Sequence, residues 1–222
     1  MITEHIHNIE SAFLWFQLEA HGLSKAKGWY ENRSRSYMEL YGLIVSELGE
    51  LAEAFRATEM PESDKLPGFT LAEEEAADIY IRIADLCGYL GFRPGEVIAK
   101  WIINEGSTSL AYDFDSNAHA FCDVLDYLVS RSPILALIAD EERCLYLHYR
   151  HVCDYNPMER IGQIARCLGH GEVFAYANYF IAAALVELAC LANEHKLSLG
   201  DAILTKHYYN KGREPRHGGK LY

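Results

Sequence analysis

Apolar residues recur at helical spacing along nearly the whole chain, whereas the alternation of apolar and polar residues that is typical of β-strands is almost absent. In the first half, helices are predicted over residues 4–21, 36–58, 70–90 and 94–106. In the second half they are predicted over 117–131, 133–153, 158–168, 172–195 and 199–211. We therefore expect an all-α protein whose core is formed by packing between helices.

Local signals mark where several of these helices begin. Ser36-x-x-Glu39 and Thr70-x-x-Glu73 are capping-box patterns, in which each end of the motif satisfies a backbone N–H of the other. Asn156 precedes a proline at the first helical position, which is a further start signal. Residues 59–69 contain two prolines and a glycine, so they are expected to form a loop between two helices.

Two acidic pairs stand on the helices that flank this loop, Glu47 with Glu50 and Glu75 with Asp78. Each pair has i,i+3 spacing, which puts both carboxylates on one face of a helix. Most such pairs are simply solvated surface. Two pairs on adjacent, antiparallel helices would instead bring four carboxylates together, and their repulsion would require a cation. Carboxylate ligands favour Mg²⁺, with Mn²⁺ as the alternative.

Charge and cysteine content narrow the class of protein. The 222 residues include 32 acidic and 20 basic ones, for a formal net charge of −12, which disfavours binding to nucleic acid or to an anionic membrane. The six cysteines form no C-x-x-C motif, as expected for free thiols in a reducing cytosol. The N-terminus has no signal-peptide pattern, and residues 176–192 are too polar to span a bilayer. A cytoplasmic protein is expected.

The first half resembles the MazG-like, all-α nucleoside triphosphate pyrophosphohydrolase superfamily, whose motif is E-E-x-x-E, a spacer and E-x-x-D. Glu47 and Glu50 match the second and third acids of the first block, and Glu75 and Asp78 match the second block. Ser46 stands where the family has its first acid. The resemblance extends to the Lys-Gly-Trp segment at 27–29, the loop at 63–69 and the tail at 206–220.

This resemblance implies a MazG-like four-helix bundle with Mg²⁺-dependent hydrolysis of a (deoxy)nucleoside triphosphate to the monophosphate and pyrophosphate, in nucleotide-pool house-cleaning. It implies that Glu47, Glu50, Glu75 and Asp78 hold the metal, and that Glu47 or Glu50 takes the proton. The predicted substrate-binding residues are basic or amide side chains suited to phosphate, and an aromatic ring suited to stacking on a base. They are Lys206, Asn210, Arg213, Lys220, Lys100 and Trp29. Family members are usually dimers or tetramers, so a homo-oligomer or a pseudo-dimeric monomer is expected.

A repeated pattern suggests two halves, residues 1–106 and 107–222. Lys100-x3-Asn104-x-Gly106 recurs as Lys206-x3-Asn210-x-Gly212, and residues 46–53 align with 159–166. The second half lacks the acids, with Gln163 in the position of Glu50. It is interpreted as a degenerate copy fused in tandem, and chance similarity between amphipathic helices is the alternative.

Two other functions are compatible with the same residues. One is a non-catalytic nucleotide-binding or scaffold protein of this fold, which the serine at position 46 and the missing second set of acids favour. The other is a hydrolase of a different phosphoanhydride, such as phosphoribosyl-ATP or a nucleoside diphosphate.

Overall fold

The computed structural model describes residues 2–31, 34–104, 117–147, 156–171 and 176–215. Within these ranges the chain forms α1 (Ile2–Ala26), α2 (Tyr37–Arg56), α3 (Leu71–Leu90), α4 (Pro94–Asn104), α5 (Asn117–Leu147), α6 (Pro157–His170), α7 (Ala177–His195) and α8 (Leu199–Gly212). The same ranges contain no β-strand, and a single bridge joins Glu62 to Thr70 in the loop between α2 and α3. The prediction of an all-α protein is confirmed.

The predicted helix starts are formed by complete capping boxes. Ser36 accepts a hydrogen bond from the backbone N–H of Glu39, whose carboxylate accepts one from the backbone N–H of Ser36. The same reciprocal pair forms at Thr70, and at Asn156 with Glu159. The capping residues therefore fix where α2, α3 and α6 begin, because each satisfies N–H groups that have no partner within the helix.

One boundary differs from the prediction, because residues 117–131 and 133–147 form a single helix that continues through Pro133. A proline in a helix removes the N–H that would bond to the carbonyl four residues earlier. Here that carbonyl belongs to Val129, and it accepts a hydrogen bond from the hydroxyl of Ser132 at 2.8 Å. The Ser132 side chain replaces the missing donor, so α5 is not broken. The predicted residues 148–153 lie outside the described residues.

The chain divides into two compact units. The acid-bearing unit comprises Trp15–Phe92 and Asp201–Tyr222, and its core lies between α2 and α3. Phe16 of α1 is fully buried, with its ring edge-on to Tyr80 of α3 and to His207 of α8. Side chains from widely separated parts of the sequence therefore share one core.

The α7 unit comprises Met1–Leu14 and Arg93–Gly200. Its central helix, α7, is buried along nearly its whole length and packs against α4, α5 and α6, which explains why its sequence is apolar on every face. The backbone N–H of Arg93 donates to Asn178 at 2.6 Å, which ties the start of α4 to α7. None of the described helices combines the length and apolarity needed to cross a membrane.

The compact units and the predicted halves divide the chain differently. Each unit combines residues from before and after position 106: α8 belongs to the acid-bearing unit, and α4 belongs to the α7 unit. The halves at 1–106 and 107–222 describe a sequence repeat, and as a repeat they stay a prediction.

This arrangement predicts that cutting the chain between α4 and α5 will not separate its parts. A protease recognition sequence placed between Asn104 and Asn117 would yield two fragments, each of which supplies segments to both units. We expect the cut protein to elute from a sizing column at the position of the uncut protein and to separate only in denaturant. Two separate peaks in native buffer would contradict the division into these units.

Candidate metal centre

Three carboxylates converge between α2 and α3. Glu47, Glu75 and Asp78 can each present one oxygen such that these oxygens lie within 4.8 Å of one another. Glu47 and Glu75 are buried, whereas the side chain of Asp78 is 19% exposed. The cluster is thus enclosed by protein on two sides and reachable from solvent at Asp78. Carboxylate oxygens at this spacing are the donor set that a hard divalent ion such as Mg²⁺ prefers.

Glu47 is directed to this point by its helix and held there by a salt bridge. It lies on the buried face of α2, one residue before the core residue Leu48. Its Oε1 accepts a hydrogen bond from Nε of Arg82, on α3, at 2.5 Å. Because Arg82 uses one oxygen only, the carboxylate keeps a second oxygen for another ligand.

Glu75 is the member of the cluster that lacks a partner. The residue is 2% exposed, and its Oε2 is buried without a hydrogen-bond partner among the described residues. The pKa of Glu75 is raised to about 8. Burial is the largest cause, and the negative charges of Asp78, Glu50, Glu74 and Glu47 add to it. A buried carboxylate oxygen without a partner is costly, and a bound cation would supply the missing interaction.

Lys206 of α8 reaches the cluster from the far end of the sequence. Its Nζ lies 2.6 Å from Oε1 of Glu74 and 2.6 Å from Oδ2 of Asp78, and the side chain is 1% exposed. Burial raises the pKa of Asp78, and the charge and hydrogen bond of Lys206 offset part of that increase. The ammonium group thus joins the acidic cluster to the carboxylate of Glu74.

Both carboxylate oxygens of Glu74 accept hydrogen bonds, and they connect α3 to the loop between α2 and α3. Its Oε1 also lies 2.5 Å from Nζ of Lys65, and its Oε2 accepts a hydrogen bond from the hydroxyl of Ser63 at 2.5 Å. Ser63 in turn accepts hydrogen bonds from the backbone N–H groups of Lys65 and Leu66. Burial alone would raise the pKa of Glu74, but the hydrogen bonds from Lys206, Lys65 and Ser63 outweigh it and lower the pKa to about 2.

Glu50, the remaining predicted metal ligand, is exposed on α2 and is not among the three converging carboxylates. At i,i+3 its side chain is rotated by about 60° around the helix from that of Glu47. Its charge nevertheless raises the pKa of Glu75, so the two groups are neighbours. Glu50 is therefore exposed on α2 and outside the set of converging carboxylates, although its charge acts on Glu75.

The predicted substrate-binding residues are found in several places. Lys206 lies inside the acidic cluster, as described above. Asn210 follows it by one turn of α8, and its Oδ1 is buried without a hydrogen-bond partner among the described residues. Arg213 comes just after α8, with its guanidinium 5.8 Å from the ring centre of Tyr209 and its carbonyl bound to Nζ of Lys27.

The other three predicted substrate-binding residues are Trp29, Lys100 and Lys220. Trp29 is partly exposed, and Arg35 lies 5.9 Å from its ring centre and donates to its carbonyl. Lys100 is exposed on α4, in the α7 unit. Lys220 lies outside the described residues. Their predicted roles in substrate binding stay predictions.

Sequence reasoning did not identify Arg82, Lys65 and Ser63 as site residues. Arg82 carries a usable signal, because it lies four residues after Asp78 and therefore on the same face of α3. Ser63 and Lys65 belong to the loop whose sequence resembles the superfamily, but loop residues have no periodicity from which to infer their direction.

Comparisons of the chain with protein-family models, with curated proteins and with solved structures return no match. The functional interpretation therefore depends on the geometry of the cluster and on the motif that its acids form.

The unpartnered Glu75 predicts an unusual dependence of stability on pH in metal-free protein. Its pKa is raised in the folded state, so between the unfolded value of about 4.3 and about 8 the folded state holds a proton that the unfolded state has released. The free energy of unfolding should then fall as pH rises through this window, by up to about 1.4 kcal/mol per pH unit from this group. Urea titrations in chelator at pH 5.5, 6.5 and 7.5 would measure the slope.

The matched variant is Glu75→Gln, which keeps the shape of the side chain but cannot ionise. We expect it to remove most of this slope. An unchanged slope in the variant would show that Glu75 is already ionised in the folded protein.

Proposed function

We propose that the acidic cluster is the metal centre of a hydrolase that converts a nucleoside triphosphate to the monophosphate and pyrophosphate. The observation that carries the proposal is the convergence of Glu47, Glu75 and Asp78, in which one buried oxygen of Glu75 has no hydrogen-bond partner within the described ranges. The order of these acids along the chain, together with Glu50, matches four of the five acids in the motif of the MazG-like superfamily, with Ser46 in place of the first. Chemistry and motif therefore point to the same residues.

The cluster and the residues around it have different roles in this proposal. When bound, a Mg²⁺ or Mn²⁺ ion supplies charge stabilisation for the phosphates and a more acidic water. Glu47, Glu75 and Asp78 hold the ion, and Arg82 fixes the carboxylate of Glu47 toward it. Glu50, which is exposed on α2 and whose charge raises the pKa of Glu75, is the proposed acceptor of the proton from the attacking water.

In the proposed reaction, water attacks the α-phosphorus and the bond from that phosphorus to the oxygen bridging the α- and β-phosphates breaks. The leaving pyrophosphate takes the bridging oxygen with its bonding electrons. Basic side chains after α8, among them Arg213 and Lys220, are suited to neutralise its charge. The physiological use would be the removal of surplus or aberrant nucleotides.

The proposal includes a MazG-like bundle with a fused second copy. The pair α2 and α3 has a counterpart in the pair α6 and α7, which also pack together. Each pair shares its compact unit with a helix from the other half of the sequence, α8 in one unit and α4 in the other. An exchange of equivalent helices of this kind is what fusion of a helix-swapped dimer would produce.

Arg160 further supports the interpretation of the second copy as degenerate. In the repeat alignment it stands in the position of Glu47, and it is buried. Its guanidinium donates to Glu187 at 2.8 Å and to Glu194 at 2.7 Å, both on α7. In the α2–α3 pair, the acid Glu47 is on the first helix and its basic partner Arg82 is on the second. In the α6–α7 pair the charges are reversed, with Arg160 on the first helix and Glu187 on the second. This ion-pair cluster would leave no carboxylate set for a metal.

A second candidate is a helical protein in which the cluster is a structural network without a metal. The observation that favours it is the number of fixed positive charges already present. Lys206 pairs with both Glu74 and Asp78. Lys65 also pairs with Glu74, and Arg82 pairs with Glu47. The oxygen of Glu75 that lacks a partner is what this candidate leaves unexplained.

Substituting Asp78, a residue of the cluster, or Glu50, the proposed proton acceptor, should strongly reduce turnover without unfolding the protein. We expect Asp78→Asn or Glu50→Gln to lower kcat/KM for pyrophosphate release by about 100-fold or more, since even outer-shell changes around metals cost 10–100-fold. The assay is a panel of canonical and modified nucleoside triphosphates with Mg²⁺ or Mn²⁺. Helical circular dichroism should be unchanged.

The matched controls are Asp201→Asn and Glu53→Gln, which make the same chemical changes at exposed positions of α8 and α2. Both controls should retain full activity. Full activity in Asp78→Asn, or the absence of pyrophosphate release from every nucleotide in the wild type, would exclude this function. A wild-type thermal midpoint that does not respond to Mg²⁺ with a non-hydrolysable triphosphate would favour the structural network.

A further inference from the structure

The buried ammonium of Lys206 occupies a position that a cation must fill. Glu74 and Asp78 each place one oxygen 2.6 Å from its Nζ, and Glu74 is 1% exposed. Two carboxylates facing one another across this gap would repel strongly in a buried environment if nothing positive lay between them. Lys206 thus does for these two oxygens what a bound metal does elsewhere.

We propose that Lys206 is the built-in second cation of the site, so that the chain binds a single divalent ion, held by Glu47, Glu75 and Asp78. This inference rests on the proposed metal centre and adds to it the number of ions. It also gives Lys206 a role within the cluster in place of the predicted contact with pyrophosphate.

Steric and electrostatic considerations both favour one ion. A Mg²⁺ or Mn²⁺ ion lies about 2.0–2.2 Å from its carboxylate ligands, so an ion between Glu74 and Asp78 would overlap the ammonium group already there. Moving the ammonium away would leave a buried positive charge without a partner, which is costly. Lys206 engages only Oδ2 of Asp78, so that carboxylate has a second oxygen with which to hold an ion beside Glu75.

The balance of charge at the site also indicates one divalent ion. The site contains the carboxylates of Glu47, Glu50, Glu74, Glu75 and Asp78. The positive groups paired with them are Lys65, Arg82 and Lys206. Three positive charges against five negative ones leave a charge of about −2 when all the acids are ionised. One divalent ion balances this remainder, and a second would leave the substrate-free site with an excess of positive charge.

The surroundings of Lys206 hold its ammonium in place. Glu74, its first partner, is anchored by the hydroxyl of Ser63 and by Lys65, so its carboxylate cannot turn away without breaking both contacts. The ring centre of Tyr209 lies 6.0 Å from Nζ, within the range of a cation–π interaction. Lys206 is therefore a fixed element of the site, unlike a lysine on the surface that is free to follow a substrate.

The test is the number of Mn²⁺ ions bound per chain, measured by electron paramagnetic resonance from the loss of the free-ion signal. The wild-type protein without nucleotide should bind one. Lys206→Met, which keeps the length of the side chain but removes its charge, frees the oxygens of Glu74 and Asp78 and should bind two. Lys206→Arg, which keeps the charge, should bind one.

A stability measurement accompanies the titration. In chelator, Lys206→Met should have a lower thermal midpoint than the wild type, and saturating Mn²⁺ should raise that midpoint more than it raises the midpoint of the wild type. If Lys206→Met does not fold even with Mn²⁺, the number of ions bound by the wild type and by Lys206→Arg tests the proposal: one ion in each supports it, and two ions in either overturn it.

The outcomes separate the two proposals. Binding of two ions by the wild type would overturn the role of Lys206 while leaving the metal centre intact. Binding of one ion by folded Lys206→Met would also overturn it. Binding of no ion by the wild type would reject the metal centre itself, and with it the proposed function.

Discussion

The ion pairs of Lys206 with Glu74 and Asp78 are the constraint on which the acid-bearing unit depends. They join α8 to α3, the pair with Glu74 spanning 132 residues of sequence, and both Lys206 and Glu74 are almost completely buried. Removing charges from water is expensive, and the cost is recovered only when geometry and further hydrogen bonds are good. Ser63 and Lys65 supply those hydrogen bonds to Glu74, so the loop between α2 and α3 is fixed by the same network.

The chain thus concentrates negative charge at one place and neutralises it unequally. Glu47 has Arg82, Asp78 has Lys206, and Glu74 has three donors. Glu75, in contrast, has a buried oxygen to which no group in the described part of the chain donates. Such an imbalance is unusual for a purely structural network, in which buried polar atoms are nearly always satisfied. It is the expected state of a site that is complete only with a cation, and perturbed pKa values of this kind cluster at functional sites.

Much of the fold could be predicted from the sequence because helices are determined by local signals. Apolar periodicity, two capping-box patterns and the Asn156-Pro157 start signal placed most helices to within a few residues. The prediction was wrong at Pro133, where a proline normally interrupts a helix, because the Ser132 hydroxyl compensates for the missing N–H. Pairing of helices that are distant in sequence, such as α8 with α3, has no such local signal.

The site shows the same division between local and long-range information. The i,i+3 spacing correctly suggested that acids on α2 and α3 would meet, but it could not distinguish Glu47, which faces α3, from Glu50, which faces solvent. The basic residues of α8 were predicted from composition to bind phosphate. That Lys206 is instead surrounded by carboxylates depends on tertiary packing, and the sequence near it gives no indication of this.

The participation of α8 in the acid-bearing unit has a consequence for biosynthesis. During translation, α3 leaves the ribosome long before residue 206 is made, so Glu74 and Asp78 are at first without the ammonium of Lys206 that pairs with them. Contacts of such wide separation in sequence form slowly, and incomplete chains expose unpaired surface to aggregation. The nascent protein would therefore complete the site only after α8 has been made, and a product terminated before α8 would carry Glu74 and Asp78 without the charge of Lys206.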